Sequence, residues 1–446
     1  MAKDTPVTLR NKVIYSVFVR NFSPEGNFEG VRRSLDRIAA LGTDIVWLMP
    51  IHPVGEASRK GSLGSPYAIR DYRAVNPEYG TMEDFRRLVD GIHALGMKCI
   101  IDVVYNHTSP DSVLAHEHPE WFFHGADGAP GRHVADWSDI VDLDYASSPA
   151  LWDYQIDTLK MWAEIVDGFR CDVAPMVPLD FWLRARREVA EVRPSCIWLA
   201  ESVEPHFIAF NRSNGTACLS DSELYQAFDL CYDYDTANDF IAALRDSSKL
   251  PAYASALNAQ EGIYPANYVK LRFLENHDRP RAAFLIPDGR ALESWTAFLY
   301  FQRGAALVYA GQERAAKHLP SLFEKDTIDL EHGPDLSPLM ARLAEIKRDR
   351  IFAEGSYSVA AHPCGALTAS YTLPGRRVFG LFPAGGRAAL VESGLQRPFQ
   401  HRVKGLALQD LFHAVILVVF AVQHPVGGKI PGDLRVAQIL ADHALV

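Results

Sequence analysis

The sequence is short of basic charge. Its 446 residues carry 45 Lys and Arg against 55 Asp and Glu, a formal net charge of -10. A nucleic-acid binder usually presents a basic face, so that class is disfavoured. Cysteine is sparse too. The six cysteines form no CxxC pair and no zinc-ligand spacing, which argues for reduced, packed thiols. Long apolar runs are missing. The strongest, residues 414–422, is too short to span a bilayer, and no membrane partner is expected. Residues 1–11 are polar and lack the apolar centre of a signal peptide, so a cytoplasmic location is the expectation. No Gly-rich phosphate loop, metal-ligand cluster or Schiff-base lysine stands out at the ends of the strand candidates.

What is present is a repeated strand–helix rhythm. Residues 13–18 (VIYSVF) and 44–49 (DIVWLM) read as strands. Between them, Val31, Leu35, Ile38 and Leu41 fall at helical spacing, and Gly42 ends the run. Thr81 offers a helix N-cap before Phe85, Leu88 and Ile92, and Gly96 closes that helix. Residues 98–104, 169–173, 197–200, 229–234, 271–274 and 306–310 supply six further strand candidates. Helical segments at 151–165, 179–192 and 291–302 lie among them. Continuous apolar runs suit a parallel sheet covered on both faces. Eight of them with helical crossovers imply an α/β fold, a (β/α)8 TIM barrel, although the rhythm alone also fits a doubly wound sheet.

Three domains follow. Residues 1–350 form the catalytic barrel. Residues 108–148 make a long excursion after the third strand, rich in His, Asp, Gly and Trp, and an insertion of that length is usually functional. Residues 351–394 read as short strands of a partial C-terminal β domain. Residues 395–446 contain no Glu, and 403–422 does not continue the strand-and-turn rhythm, so this stretch reads as an irregular tail.

Barrel enzymes place their chemistry where strands end. Strand three ends in DVVYNH (102–107), strand four reads GFRCD (168–172), strand five WLAE (198–201), and strand seven ends in ENHD (275–278). One Asp after a strand is often only a helix cap. Four polar exits around one mouth are harder to explain by capping. Carboxylates beside an Arg suit acid/base and covalent work on an acetal, in which one carboxylate attacks and a second, protonated, serves the leaving oxygen. Arg170 and Asp172 are two apart on one strand and so face the same side. The guanidinium would keep Asp172 ionised, as a nucleophile must be, which favours Asp172 over Asp102.

At this point DVVYNH, GFRCDVAPM, WLAES and FLENHD, in this order, resemble the four signature regions of the α-amylase family (glycoside hydrolase family 13). SPYAIRDY (65–72) is similar to the family's loop after strand two, and LVYAGQE (307–313) to its eighth-strand motif. The resemblance covers roughly residues 12–350. It implies a retaining α-glycoside hydrolase of α-glucans or malto-oligosaccharides. Asp172 would be the nucleophile, Glu201 the general acid/base, and Asp278 the group that binds sugar hydroxyls and distorts the ring. Arg170 would orient Asp172. His107 and His277 would bond hydroxyls of the same sugar, and Tyr67 would stack on it. Asp102 and Asn106 would support the pocket from behind. The excursion would be domain B and the later strands domain C.

The resemblance requires no cofactor. It admits calcium, for which Asn106 and Asp142 are the candidate ligands, although calcium takes six to eight oxygens. Pro175 and Met176 stand where many α-amylases carry Lys-His. The expected partner is an oligosaccharide, and oligomeric state is left open. A transglycosylase, glucan isomerase or sugar phosphorylase would use the same residues, and a non-catalytic carbohydrate-binding barrel is the other alternative.

Overall fold

A computed structural model of the chain describes residues 4–125, 128–385, 416–422 and 435–439. Eight parallel strands close into a barrel: β1 (Val13–Val17), β2 (Ile45–Leu48), β3 (Lys98–Val103), β4 (Gly168–Cys171), β5 (Ile197–Ala200), β6 (Leu230–Tyr232), β7 (Val269–Arg272) and β8 (Ala305–Tyr309). β1 pairs with both β2 and β8, so no edge is left. The strands are buried almost throughout, as their apolar runs require. The fold is therefore the (β/α)8 barrel, with a small C-terminal β sheet.

Local chemistry sets the segment ends. The helix Met82–Ala94 begins at Thr81, whose hydroxyl and the Asp84 carboxylate form a reciprocal capping box. Gly96, at φ +75°, turns the chain into β3. At Gly168 a side chain would meet the backbone oxygen of Ile197 at 2.2 Å, so only glycine lets β4 approach β5 there. The run of helical spacing from Val31 to Leu41 is split between two helices, Phe28–Arg32 and Leu35–Ala40. They break where the Ser34 hydroxyl bonds back to the Gly30 carbonyl.

Register carries the site. β3 and β4 pair with Asp102 opposite Arg170, and β4 and β5 with Arg170 opposite Leu199. After β3 the chain leaves on a two-stranded ribbon, His107–Thr108 against Val141–Asp142, and returns at the helix Pro149–Ala163. Lys60, in the loop after β2, is paired with Asp139 at 2.9 Å and ties the excursion to the barrel.

The C-terminal sheet is antiparallel in sequence order: β9 (Ser356–His362), β10 (Ala366–Leu373), β11 (Arg376–Pro383), β12 (Ile416–Val422) and β13 (Arg435–Ile439). Phe382 packs on Phe298 and Phe301 of the last barrel helix, Gly289–Phe301. Asn258 exchanges two hydrogen bonds with the backbone of Val359. Within the stretch read from sequence as an irregular tail, β12 and β13 continue the strand rhythm. A β-branched run is strand-forming, and it supplies the partner that β11 would otherwise lack. The remaining residues of 386–446 lie outside the described ones. All six cysteines are free. Among the described residues, no helix is long and apolar enough to cross a membrane.

Candidate active site

Arg170 is the centre of the site. Its side chain leaves β4 toward the barrel axis and is fully buried. Nη1 donates to Asp102 Oδ1 at 2.9 Å and to Asp172 Oδ1 at 2.6 Å. Nη2 lies 2.9 Å from Glu201 Oε1 as an ion pair. Trp47, Tyr67 and Tyr232 surround the guanidinium, with ring centroids 5.2, 5.6 and 5.6 Å from its carbon. One cation thus holds three carboxylates from three adjacent strands. Exposure separates their roles. Asp102 is 0% exposed and touches no solvent, whereas Asp172 (6%) and Glu201 (9%) each keep an open edge.

Burial dominates the electrostatics. It pushes Asp172 up to about 6, against the pull of Arg170. It pushes Glu201 up to about 7, again against Arg170 and with Asp172 and Asp278 adding to the rise. Asp102 also rises to about 7, for the same first cause. Near neutral pH the group therefore holds an ionised Asp172 beside a Glu201 that still carries a proton much of the time. Two carboxyl groups whose environments separate their affinities for a proton are what acid/nucleophile pairs need.

Glu201 is held from its other side by an unusual backbone. Oε2 accepts the Val173 N–H at 2.8 Å. Val173 has φ 35° and ψ 44°, a left-handed conformation that a β-branched residue rarely adopts. Strain of about 1–3 kcal/mol at such a residue marks a constrained site. The sequence gives no direct signal of it.

The remaining predicted residues fall into two groups. Tyr67 donates to Asp102 Oδ2 at 3.3 Å, and its oxygen lies 2.7 Å from His277 Nε2. His277 Nε2 is 3.1 Å from Asp278 Oδ2. Asp278 is the most open carboxylate, its side chain 41% exposed. Burial opposes its ionisation, but His277 and Arg170 outweigh that and hold it below the usual range. These contacts join Asp278, His277, Tyr67, Asp102, Arg170, Asp172 and Glu201 into one network.

His107 stands beside the network, its Nε2 3.9 Å from Asp172 Oδ2. Burial lowers its affinity for a proton to about 4, so it is neutral at neutral pH. Asn106 Nδ2 lies 3.2 Å from its Nδ1, which leaves Nε2 as the N–H that faces the mouth.

Asn106 does meet Asp142, with Nδ2 3.4 Å from Oδ1. Asp142 Oδ2, however, accepts both the His133 backbone N–H and the His133 ring at 2.7 Å. Calcium needs about six to eight oxygen ligands. This pair, with one carboxylate oxygen committed to His133, does not fit that need. Among the described residues, no group of three or more His, Cys, Asp or Glu could hold a metal ion. Glu275, at the exit of the seventh strand, faces away from the site and binds Arg281 and the Ala282 N–H. Sequence reasoning missed Trp47, Tyr232 and Val173. The two aromatics were read only as strand-formers.

Residues 8–122 match the model of the α-amylase catalytic domain. The structure superposes on an α-amylase of Lactobacillus plantarum with a TM-score of 0.83 and 51% identity, covering 85% of this chain and 90% of that one. For the noncanonic maltogenic α-amylase AmyB of Thermotoga neapolitana the TM-score is 0.75 at 36% identity, covering 84% and 86%. An α-1,4-glucan:maltose-1-phosphate maltosyltransferase of Pseudomonas aeruginosa is 31% identical over 373 residues, 75% of this chain and 53% of the relative. The chain spans about half the length of curated relatives that it matches. With signature residues gathered at one barrel mouth and 51% identity over 90% of a solved α-amylase, the chain belongs to the α-amylase family of glycoside hydrolases.

Proposed function

We propose that the protein is a retaining α-glycosidase acting on α-glucans or malto-oligosaccharides through a covalent glycosyl-enzyme. The observation that carries this reading is the single buried guanidinium shared by Asp102, Asp172 and Glu201. A nucleophile and an acid must sit close together, yet two like charges there repel. Arg170 reconciles these needs. Burial raises both carboxyls and Arg170 pulls both down, and the balance leaves Glu201 holding its proton to slightly higher pH than Asp172.

In the first step Asp172 attacks the anomeric carbon. Glu201 gives its proton to the departing glycosidic oxygen. In the second step water gives a proton to Glu201 and its oxygen replaces Asp172, so the anomeric configuration is retained. Asp278, His277, His107 and Tyr67 present the hydrogen-bonding wall for the sugar that becomes attached. Asp102 acts through Arg170 and Tyr67 as a positioning residue.

A second reading is glycosyl transfer, in which a sugar hydroxyl or phosphate takes the place of water. The similarity to a maltosyltransferase favours keeping it. Both readings share the first step. The test is incubation with maltotriose, maltohexaose, isomaltose, trehalose and sucrose, with products followed by NMR from the first turnover. Initial release of the α-anomer supports the retaining reading, and an initial β-anomer overturns it. A product longer than the substrate selects transfer.

A further inference from the structure

Behind the acid/base lies a group of buried charges that the reaction does not use. The end of β6 and the turn after it read Tyr232-Asp233-Tyr234-Asp235. These residues alternate in what they touch. Tyr232 packs beside the Arg170 guanidinium, and Tyr234 stacks on Tyr232 and accepts a hydrogen bond from Asn276 at 2.9 Å. The aspartates meet a different set of partners. Asp235 accepts from the Lys270 ammonium at 2.8 Å, and Asp233 accepts from Arg272 at 2.7 Å. Gln260 donates to both, at 2.8 and 2.9 Å. In the register of β6 and β7, Tyr232 stands opposite Leu271. Lys270 and Arg272, one residue to either side, therefore point out of the barrel and away from the sugar.

Lys270 is the hub of this group. It is fully buried and donates to Asp221, to Asp235 and, at 3.1 Å, to the Tyr232 carbonyl. Its three protons thus have three acceptors. Ser202, the residue after Glu201, is fully buried as well. Its hydroxyl donates to the same Tyr232 carbonyl at 3.0 Å and reaches Asp221. One ammonium therefore fixes two things at a single remove: the residue that adjoins Glu201, and the carbonyl of the ring that packs beside Arg170. As a source of stability such a cluster is poor, because desolvation of buried charges offsets most of their attraction. What it does supply is a fixed geometry.

We propose that Lys270, acting with Asp221 through Ser202, is a positioning residue for Glu201. All three hold the backbone of β5 and β6 from outside the barrel, and so hold the Glu201 carboxyl against Arg170 and the Val173 N–H. Glu201 also faces Asp172, Asp278 and Arg279. A small swing of its carboxyl would change both its reach to a leaving oxygen and the charges around its proton. The inference rests on the acid/base role given to Glu201 above.

The test compares first-turnover rates on two donors by rapid quench. Maltotriose needs the Glu201 proton, and α-maltosyl fluoride does not, because fluoride leaves without an acid. Ser202→Ala should lower the maltotriose rate about tenfold while KM and the fluoride rate stay within about twofold of wild type. Lys270→Met should lower both rates, since it also frees Tyr232 beside Arg170. Adding Ser202→Ala to it should cost no more than about twofold further on maltotriose, as two residues acting as one unit require. Asp221→Asn, which leaves Lys270 paired with Asp235, takes its place if Lys270→Met does not fold. Equal loss on both donors in Ser202→Ala, no loss at all, or additive losses in the double variant would overturn the proposal.

A second readout needs no turnover. The carboxyl carbon of Glu201 is followed by NMR in protein labelled with 13C-glutamate, its signal identified by absence in Glu201→Gln. A carboxyl that drifts from Arg170 and the Val173 N–H loses partners that favour its ionised form while staying buried, so Ser202→Ala should move its midpoint to higher pH. An unmoved midpoint would overturn the positioning role. A moved midpoint in a protein that turns over neither donor would uphold that role and reject the glycosidase reading. Turnover of both donors with an unmoved midpoint would reject the positioning role alone.

Discussion

Arg170 decides what its neighbours can do. Without its charge, Asp102, Asp172 and Glu201 would be buried together with no cation in contact. Arg170→Leu should therefore cost about 3–5 kcal/mol in urea unfolding at pH 7. Activity should follow the two reacting carboxyls. kcat/KM should rise as Asp172 ionises near 6 and fall as Glu201 loses its proton near 7, giving a narrow bell. Glu201→Gln should lower kcat on maltotriose by about 10²–10⁴ and, with a fluoride donor, abolish the alkaline limb of the first step.

The same residue affects stability. Its folded affinity for a proton, about 7, exceeds the ordinary value of 4.5. The folded state then binds more protons than the unfolded state between those values. Its stabilising share is complete below 4.5 and is lost as pH rises through 7. Relative to the wild type, Glu201→Gln should gain about 3 kcal/mol between pH 4 and pH 8. A pH-independent difference would show that Glu201 is not held protonated. Val173 offers a finer check. Its N–H favours the ionised Glu201, and glycine adopts the same left-handed backbone without strain, so Val173→Gly should leave the alkaline limb in place.

At the scale of elements, most strands were legible because fully buried parallel strands announce themselves as apolar runs. β7 was not. The apolar run suggested 271–274, but the strand is Val269–Arg272. Lys270 and Arg272 look like loop residues in sequence. In the fold Lys270 meets Asp221 and Asp235, and Arg272 meets Asp233, so their charges are neutralised inside the structure. A pattern reader cannot see partners that come from 35 to 49 residues away. The candidate site was legible for a different reason: its polar residues interrupt apolar strand ends. Val173 was not, because its conformation leaves no mark in its residue type. The junction of barrel and β sheet makes a prediction at this scale. Asn258 bonds Val359 through both its amide groups, so Asn258→Ala should cost about 1–3 kcal/mol and expose β9 to faster hydrogen exchange. Unchanged exchange there would show that the aromatic contacts of Phe382 hold the sheet alone.

For the molecule as a whole, closure of the barrel does the positioning. Parallel register sets Asp102 opposite Arg170, and the same stagger carried round to β5 brings Glu201 to the guanidinium's other nitrogen. The loops after β2, β3 and β7 then add Tyr67, His107, His277 and Asp278 from segments remote in sequence. This arrangement makes a carboxylate oxygen of Asp172 the atom that becomes bonded to sugar. The direct measurement is mass spectrometry of Glu201→Gln after brief incubation with α-maltosyl fluoride, followed by proteolysis under acid. Fluoride leaves without an acid, and water attacks slowly without the Glu201 base, so the intermediate should accumulate. A maltosyl adduct is expected on the peptide that contains Asp172, absent in the double variant Asp172→Asn, Glu201→Gln. An adduct on another carboxylate, or release of fluoride by that double variant at the single variant's rate, would contradict it.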